Sequence, residues 1–312
     1  MSEKTVRKIK KTETRPKTLD DLVPDASIAE HYIHRKIHGH NDFEILDYAR
    51  MEGLNVLLEG PTGPGKTMLC RAYAASRGIP FFALNPGAAA EPSQLFGKYI
   101  LTGGEMVWVD GPVTSLVRHG DAVLLLDEVN FMPPGVTSTL HPLTDAQRLV
   151  VLYDHVVEKY DTKSDTSIAM AEVVKAGPRL LVVAAFNEGY RGTEELNEAF
   201  RNRFDISVEW GYSTEVEDDL IASVTLKKIA HQIRKMTDEG HIDTPCSTNR
   251  LQFFERMVED IGLESAISNF LASFEHTERE AIRNVFVLNK DSLRAEYKRA
   301  NNRDPEKGFF VE

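Results

Sequence analysis

The sequence predicts an α/β fold, a P-loop αβα sandwich on a parallel sheet, with a helical domain behind it. Three observations carry that reading. Gly60-Pro-Thr-Gly-Pro-Gly65-Lys66-Thr67 fits the pattern G-x-x-x-x-G-K-[ST], between an apolar strand at 54–59 and helical spacing over 66–77. Ala122–Leu126 and Leu180–Phe186 are apolar without alternation, as strands of a parallel sheet covered on both faces require. After Trp210 the apolar residues recur at steps of mostly three or four, as in Leu220, Val224, Ile229 and Ile233, then Leu251, Phe254 and Val258.

Along the chain, Leu19 to about Arg50 reads as two short helices leading into the first strand. Phe81–Leu84 is a second strand. Gly97–Gly111 alternates aromatic, apolar and turn residues around Thr102-Gly-Gly-Glu105, the pattern of a β-hairpin. Residues 136–147 form a helix, Arg148–Tyr153 a strand, and the polar run 158–178 a long exposed loop. The boundaries expected are a disordered basic arm over 1–20, the sandwich over 21–212, helices over 213–295 and a flexible tail over 296–312.

Bulk properties narrow the function classes. The 312 residues suit one large or two ordinary domains, and an apolar content of 42% supports real cores. No run approaches the ~20 apolar residues of a membrane helix, and the N-terminus lacks the apolar segment of a signal peptide. Cys70 and Cys246 are far apart and suggest no disulfide framework, which fits a cytoplasmic protein. The net charge is −11, yet residues 1–17 hold seven Lys/Arg against two Glu, a local +5 that leaves −16 for the rest. So acidic a body argues against a broad nucleic-acid surface. His31, His34, His38 and His40 cluster without the carboxylate or cysteine partners a metal site needs.

The glycine-rich turn carries the chemistry. Across Gly60, Pro61, Thr62, Gly63, Pro64 and Gly65 the glycines let the backbone curl so that the N–H groups of its non-proline residues and of the following helix turn toward phosphate oxygens, with the helix N-terminus adding positive potential. Lys66 reaches the β- and γ-phosphates, Thr67 holds Mg²⁺, and Met68 borders the nucleotide. Asp127 and Glu128 end the buried strand 122–126, where α/β sheets place their ligands. Asp127 would hold Mg²⁺, and Glu128 would act as base toward an attacking water. Asn187 ends the next apolar strand, either positioning that water or capping a turn, and Asn85 ends the strand at 81–84 in the same manner. Arg201 and Arg203 either stabilise charge on a transferred phosphoryl group or form surface ion pairs. Trp108 is either a hairpin residue that grips a client or a packed one.

The order of these motifs resembles the AAA+ ATPases, and within them the MoxR-type group. Gly189-Tyr-Arg-Gly-Thr-Glu-Glu-Leu-Asn-Glu-Ala-Phe-Arg-Asn-Arg-Phe204 is similar to that group, while Trp108-Val-Asp-Gly-Pro-Val-Thr114 and His141-Pro-Leu-Thr-Asp145 resemble its CbbQ/NorQ branch. The resemblance implies that Gly60–Thr67 is Walker A, Asp127-Glu128 Walker B, Asn187 sensor 1 and Arg203 the arginine finger, with Arg201 a second candidate. It places sensor 2 at Thr248-Asn249-Arg250, with Arg250 on the γ-phosphate. It further implies ATP and Mg²⁺ as cofactors, a homo-oligomer in the form of a hexameric ring, and chaperone-like remodelling of a protein client such as a von Willebrand factor A-domain protein. The alternative weighed from another class is an ATP-driven motor on nucleic acid, favoured only by the basic arm. Ile33 and Ile37 are expected to border the adenine.

Overall fold

The computed structural model describes residues 19–85, 91–161, 166–187 and 198–301. Most of the basic arm, the stretch 188–197 of the quoted motif and the tail from 302 lie outside the described residues. The chain enters through a 3₁₀ turn, Leu19–Leu22, and α1, Ser27–Glu30. A small hairpin, β1 Lys36–Ile37 with β2 His40–Asn41, then leads into α2, Asp42–Glu52. Asn41 caps α2: its Oδ1 accepts from Phe43 N at 2.9 Å, and Glu44 reaches back to Asn41 N at 3.0 Å.

The central sheet is built from β3 Val56–Gly60, β4 Phe81–Leu84, β7 Asp121–Leu126, β10 Arg179–Asn187 and β11 Ile206–Glu209. Its order is β11-β3-β10-β7-β4, parallel throughout. Between these strands lie α3 Lys66–Arg77, α4 Pro92–Phe96, the hairpin β5 Gly97–Thr102 and β6 Glu105–Asp110, and α5 Pro112–His119. After β7 come a 3₁₀ turn, Val129–Phe131, and α6 Pro134–Thr144, then β8 Leu149–Asp161 and β9 Thr166–Lys175.

Side chains alternate across a strand, so both sets must be apolar when both faces are covered. Leu57, Leu124, Leu126 and Val182 join one core with residues of α5 and α6. Val56, Leu58, Val123, Leu125 and Val183 join the other, with Leu46 of α2 and Leu69 and Tyr73 of α3. Asn55, just ahead of β3, ties the sheet to the first of these layers: its Nδ2 donates to Thr144 O at 2.8 Å and to Arg203 O at 2.9 Å.

The expected loop at 158–178 is wrong. β8 and β9 pair as a long antiparallel ribbon with an irregularity between Leu152 and Val156. Among the described residues of the ribbon, those buried lie at its base: Val150, Leu152 and Val174. Ile168 and Met170 are exposed further out, because a two-stranded ribbon standing in solvent has no second layer to cover. Its strands satisfy each other's backbone groups, and polar side chains are tolerated on both faces. Trp108 is packed: it stacks on His155 of β8, with ring centroids 4.6 Å apart, and its Nε1 donates to Asp110 at 2.7 Å.

Beyond α7, Glu198–Arg201, and β11, the chain turns helical: α8 Thr214–Leu220, α9 Val224–Asp238, α10 Thr248–Ile261, α11 Leu263–Ala272 and α12 Arg279–Asn301. Ser213, Ser223 and Ser247 each cap the helix that follows. These helices bury a core of their own, including Ile229, Ile233, Leu251, Phe254 and Phe286. α12 runs past residue 295 to Asn301, and Tyr297 belongs to that core, so helix extends into the stretch expected to be flexible. No helix among the described residues is long and apolar enough to cross a membrane.

Candidate functional site

β3 delivers the glycine-rich turn to the C-terminal edge of the sheet, and α3 begins at Lys66. Two of its glycines are required by their surroundings. A Cβ on Gly60 would lie 2.3 Å from Trp210 O, and one on Gly63, whose φ is +81°, would lie 2.5 Å from Ser247 Cβ. Lys66 folds back over the turn: its side chain is buried, and Nζ donates to Gly60 O at 2.8 Å and Pro61 O at 2.7 Å.

Thr67, one residue into α3, meets the end of β7. Its Oγ1 donates to Asp127 Oδ2 at 2.8 Å. Asp127 is held in turn by its own N–H, which donates to Leu84 O of β4 at 2.9 Å. Glu128 follows with φ +50°, a left-handed conformation rare outside glycine, and that turns its carboxylate off the strand. Asn187 ends β10 opposite Gly60 of β3. Its Nδ2 lies 3.4 Å from Glu128 Oε1.

A cavity of about 280 Å³ is lined by Lys66, Thr67, Asp127, Glu128 and Asn187, together with Thr62–Gly65 and Met68. An adjoining cavity of about 400 Å³ shares Gly63, Pro64, Gly65, Met68 and Asn249 with it. Its wall is largely apolar: Ile28, Ile33, Trp210, Val216 and Leu220. One cavity is polar and bordered by a helix N-terminus, the other is greasy, and they join along the turn. That is the shape of a phosphate chain continuing into a base. The all-oxygen pair Thr67–Asp127 suits Mg²⁺, which takes one or two protein oxygens and fills its shell with phosphate and water. Of the two residues expected to border the adenine, Ile33 lines this apolar cavity. Ile37 does not line it and packs instead on the core that holds α2 and α3.

The arginines divide. Arg201 Nη2 donates to Glu59 Oε2 at 2.5 Å. Arg203 Nη1 donates to Ala199 O in its own turn, and burial and the Arg203 charge together hold the His141 imidazole below its ordinary range. Neither arginine lines the phosphate cavity. Arg250 corrects the sequence reading. Its Nη1 donates to Pro245 O at 2.7 Å, its Nη2 to Ser273 O at 3.1 Å, and its guanidinium sits 4.7 Å over Phe274. It is part of the helical packing, and its neighbour Asn249 faces both cavities instead. Two residues escaped the sequence reading. Arg71 lines the phosphate cavity, and its position one turn after Thr67 on α3 was a usable signal. Arg35 lines the base cavity, and no local pattern pointed to it.

The sequence model of the AAA domain (dynein-related subfamily) matches residues 55–204, the stretch that holds the turn, Asp127-Glu128, Asn187 and both central arginines. An uncharacterized protein of Staphylococcus haemolyticus, SH1500, is 31% identical over 255 residues, covering 75% of this chain and 90% of the relative. The chain belongs to the AAA family. Within it, protein NorQ of Paracoccus denitrificans is 35% identical over 173 residues, 55% of this chain and 58% of NorQ, in keeping with the MoxR-type group. Among solved structures, a putative ATPase from Cytophaga hutchinsonii aligns at a TM-score of 0.36 and 20% identity, over 84% of this chain and 75% of that one. NtrX from Brucella abortus, in complex with ATP, aligns at 0.42 and 15% over 90% of this chain, which spans about half (54%) of NtrX. As an AAA member the protein binds nucleotide and hydrolyses ATP.

Proposed function

We propose that this AAA ATPase works as a ring of identical subunits, six by family resemblance, and couples hydrolysis to the remodelling of a protein partner. The placement of Arg203 carries the reading. Lys66, Thr67, Asp127, Glu128 and Asn187 converge on one cavity, while Arg203 is turned to Ala199 O of its own turn. A phosphoryl-transfer site gains much of its rate from a cation that meets charge developing on the phosphate. In this reading Arg203, which its own cavity does not include, serves a neighbouring subunit's nucleotide, with Arg201 beside it as the second candidate.

In this reading the turn Gly60–Thr67 and Met68 grip the nucleotide. Mg²⁺, held by Thr67 and Asp127, would neutralise phosphate oxygens when bound. Lys66 carries the fixed positive charge of the phosphate cradle. Glu128 takes the proton of the attacking water, and Asn187 keeps one carboxylate oxygen oriented so that the other faces the water. The sandwich, 21–212, and the helices from 213 onward act as two bodies whose angle follows the nucleotide, since contacts to the γ-phosphate exist in only one state. The exposed apolar hairpin β5–β6, with Leu101 and Met106 outermost, is the surface offered to the partner. A von Willebrand factor A-domain protein is the first partner to try.

The test is subunit mixing. Arg203→Ala and Lys66→Ala proteins, each inactive alone, are combined and ATP turnover is measured. Partial recovery is expected, because a mixed interface can pair an intact Lys66 with an intact Arg203. No recovery in a mixture shown to co-assemble would overturn the trans arrangement. ATPase stimulation by DNA that weakens with salt would favour the nucleic-acid motor instead.

A further inference from the structure

Three side chains grip the glycine-rich turn from outside the phosphate cavity, and none of them lines that cavity. Tyr212 Oη donates to Thr62 O at 2.8 Å. Trp210 Nε1 donates to Pro64 O at 3.2 Å, and Arg35 Nη2 donates to the same oxygen. The Arg35 guanidinium lies 4.4 Å over the Trp210 ring, and its Nη1 donates to Gly211 O at 2.7 Å.

A trans peptide is planar, and its C=O and N–H point in opposite directions. The carbonyl of Thr62 shares a peptide with the N–H of Gly63, and the carbonyl of Pro64 shares one with the N–H of Gly65. Holding those two oxygens outward therefore turns the two glycine N–H groups inward, toward the cavity that Lys66 and Thr67 line. Glycine is the residue least able to hold a peptide orientation by itself, so an external clamp has most to contribute at these two units.

We infer that Tyr212, Trp210 and Arg35 are positioning residues that aim the Gly63 and Gly65 amides at the phosphate chain, and that they tie this aim to the helical body. The second half rests on what lies behind Tyr212. Its ring is covered by Arg234 of α9 at 3.8 Å. Arg234 is locked to Glu217 of α8 by bonds of 2.6 and 2.8 Å, and Thr248 of α10 donates to Glu217 at 2.6 Å. Burial pushes the Glu217 carboxyl up, but its bonds to Arg234 and Thr248 outweigh that and hold it below the usual range. Three helices are thus linked, through Arg234, to the ring whose hydroxyl holds Thr62. A tilt of those helices drags Tyr212 and loosens the Gly63 amide, and loss of the phosphates releases the same chain of contacts in reverse.

The inference rests on the assignment of Gly60–Thr67 to phosphate, and the experiment separates the two. Tyr212→Phe keeps the ring under Arg234 and removes only the hydroxyl. Arg35→Lys keeps the charge but cannot span Pro64 and Gly211. ATP and adenosine affinities are measured by competition against a fluorescent nucleotide, and their ratio is compared with that of the wild type. The ratio cancels any change in the base cavity, which Arg35 also lines. We expect it to fall about fivefold to tenfold in each variant, the effect of one lost hydrogen bond. An unchanged ratio, whether from intact affinities or from equal losses for both ligands, would overturn the positioning role. Wild-type protein that binds ATP no better than adenosine would instead overturn the phosphate assignment itself. Should Arg35→Lys fail to fold, the Tyr212→Phe ratio decides alone.

Discussion

Asn187 Nδ2 lies 3.4 Å from Glu128 Oε1, each residue at or just beyond the end of one of two adjacent parallel strands. At that length the bond is long for N–H···O. The amide steers the carboxylate without locking it, as suits a group that must exchange a proton with water. Glu128→Gln keeps the shape and removes the base. Nucleotide affinity should stay within about twofold while turnover falls by about 10²-fold or more. Asn187→Ala should lower turnover less, by about tenfold, because the base survives misaligned. Steady-state ATPase rates beside equilibrium binding check both, and full turnover in Glu128→Gln would place the base elsewhere.

Lys66 is buried with its ammonium on two backbone carbonyls of the turn, so its substitution removes a cation held against the phosphate cradle. Lys66→Ala should weaken ATP binding by about 100-fold or more, two charge-assisted hydrogen bonds to phosphate being lost together. Calorimetric titration with ATP and Mg²⁺ measures it. Wild-type affinity in this variant would refute the phosphate site.

Gly63 separates local strain from contact. Gly63→Ala meets both a φ of +81° and Ser247 Cβ at 2.5 Å. Gly104→Ala, at the β5–β6 turn with φ +89°, meets only the first, since nothing lies within 4 Å. Urea unfolding should show a loss of about 1 kcal/mol for Gly104→Ala and a larger one, by about 1–2 kcal/mol, for Gly63→Ala. ATP affinity should suffer only in the second, because Ser247 opens the helix that carries Asn249.

Glu217, Glu278 and Glu296 brace the helical body. Burial raises each carboxyl, but hydrogen bonds from Arg234 and Thr248, from Thr244 and Asp243, and from Ser223 and Thr225 outweigh it, so all three are lowered. Glu296 of α12, for example, takes bonds of 2.6 Å from Ser223 Oγ and 2.7 Å from Thr225 Oγ1 at the start of α9. A lowered folded-state value means the fold holds these protons less tightly than the unfolded chain. Their stabilisation is complete above the unfolded value of about 4.3 and is lost as pH falls below it through the folded values. Between pH 6 and 8 these groups therefore contribute in full and give the melting temperature no pH dependence, and below about pH 4.5 it should fall steeply. Glu296→Gln should flatten part of that acid slope, and an unchanged slope would remove Glu296 from the account.

What the amino-acid sequence determined was everything carried by short-range pattern. The turn Gly60–Thr67 was legible because its glycines, lysine and threonine act within one loop and one helix start. The strands at 122–126 and 180–186 were legible because burial on both faces leaves an unbroken apolar run, and the half-buried edge strand at 81–84 was legible because it is itself a short apolar run. Of the ribbon β8–β9 only the start was legible, at 148–153 where Val150 and Leu152 are buried, while the outer part, standing in solvent, has no continuous apolar face to betray it. Arg250 and Asn249 show the limit at single-residue scale. A helix rotates about 100° per residue, so which neighbour faces the nucleotide depends on how α10 is docked. Only the tertiary structure decided that, and only it brought Arg35, Trp210 and Tyr212 onto the turn from far along the chain. The contacts that aim a peptide are made by side chains from other layers of the fold, and their distance along the chain leaves no period to read.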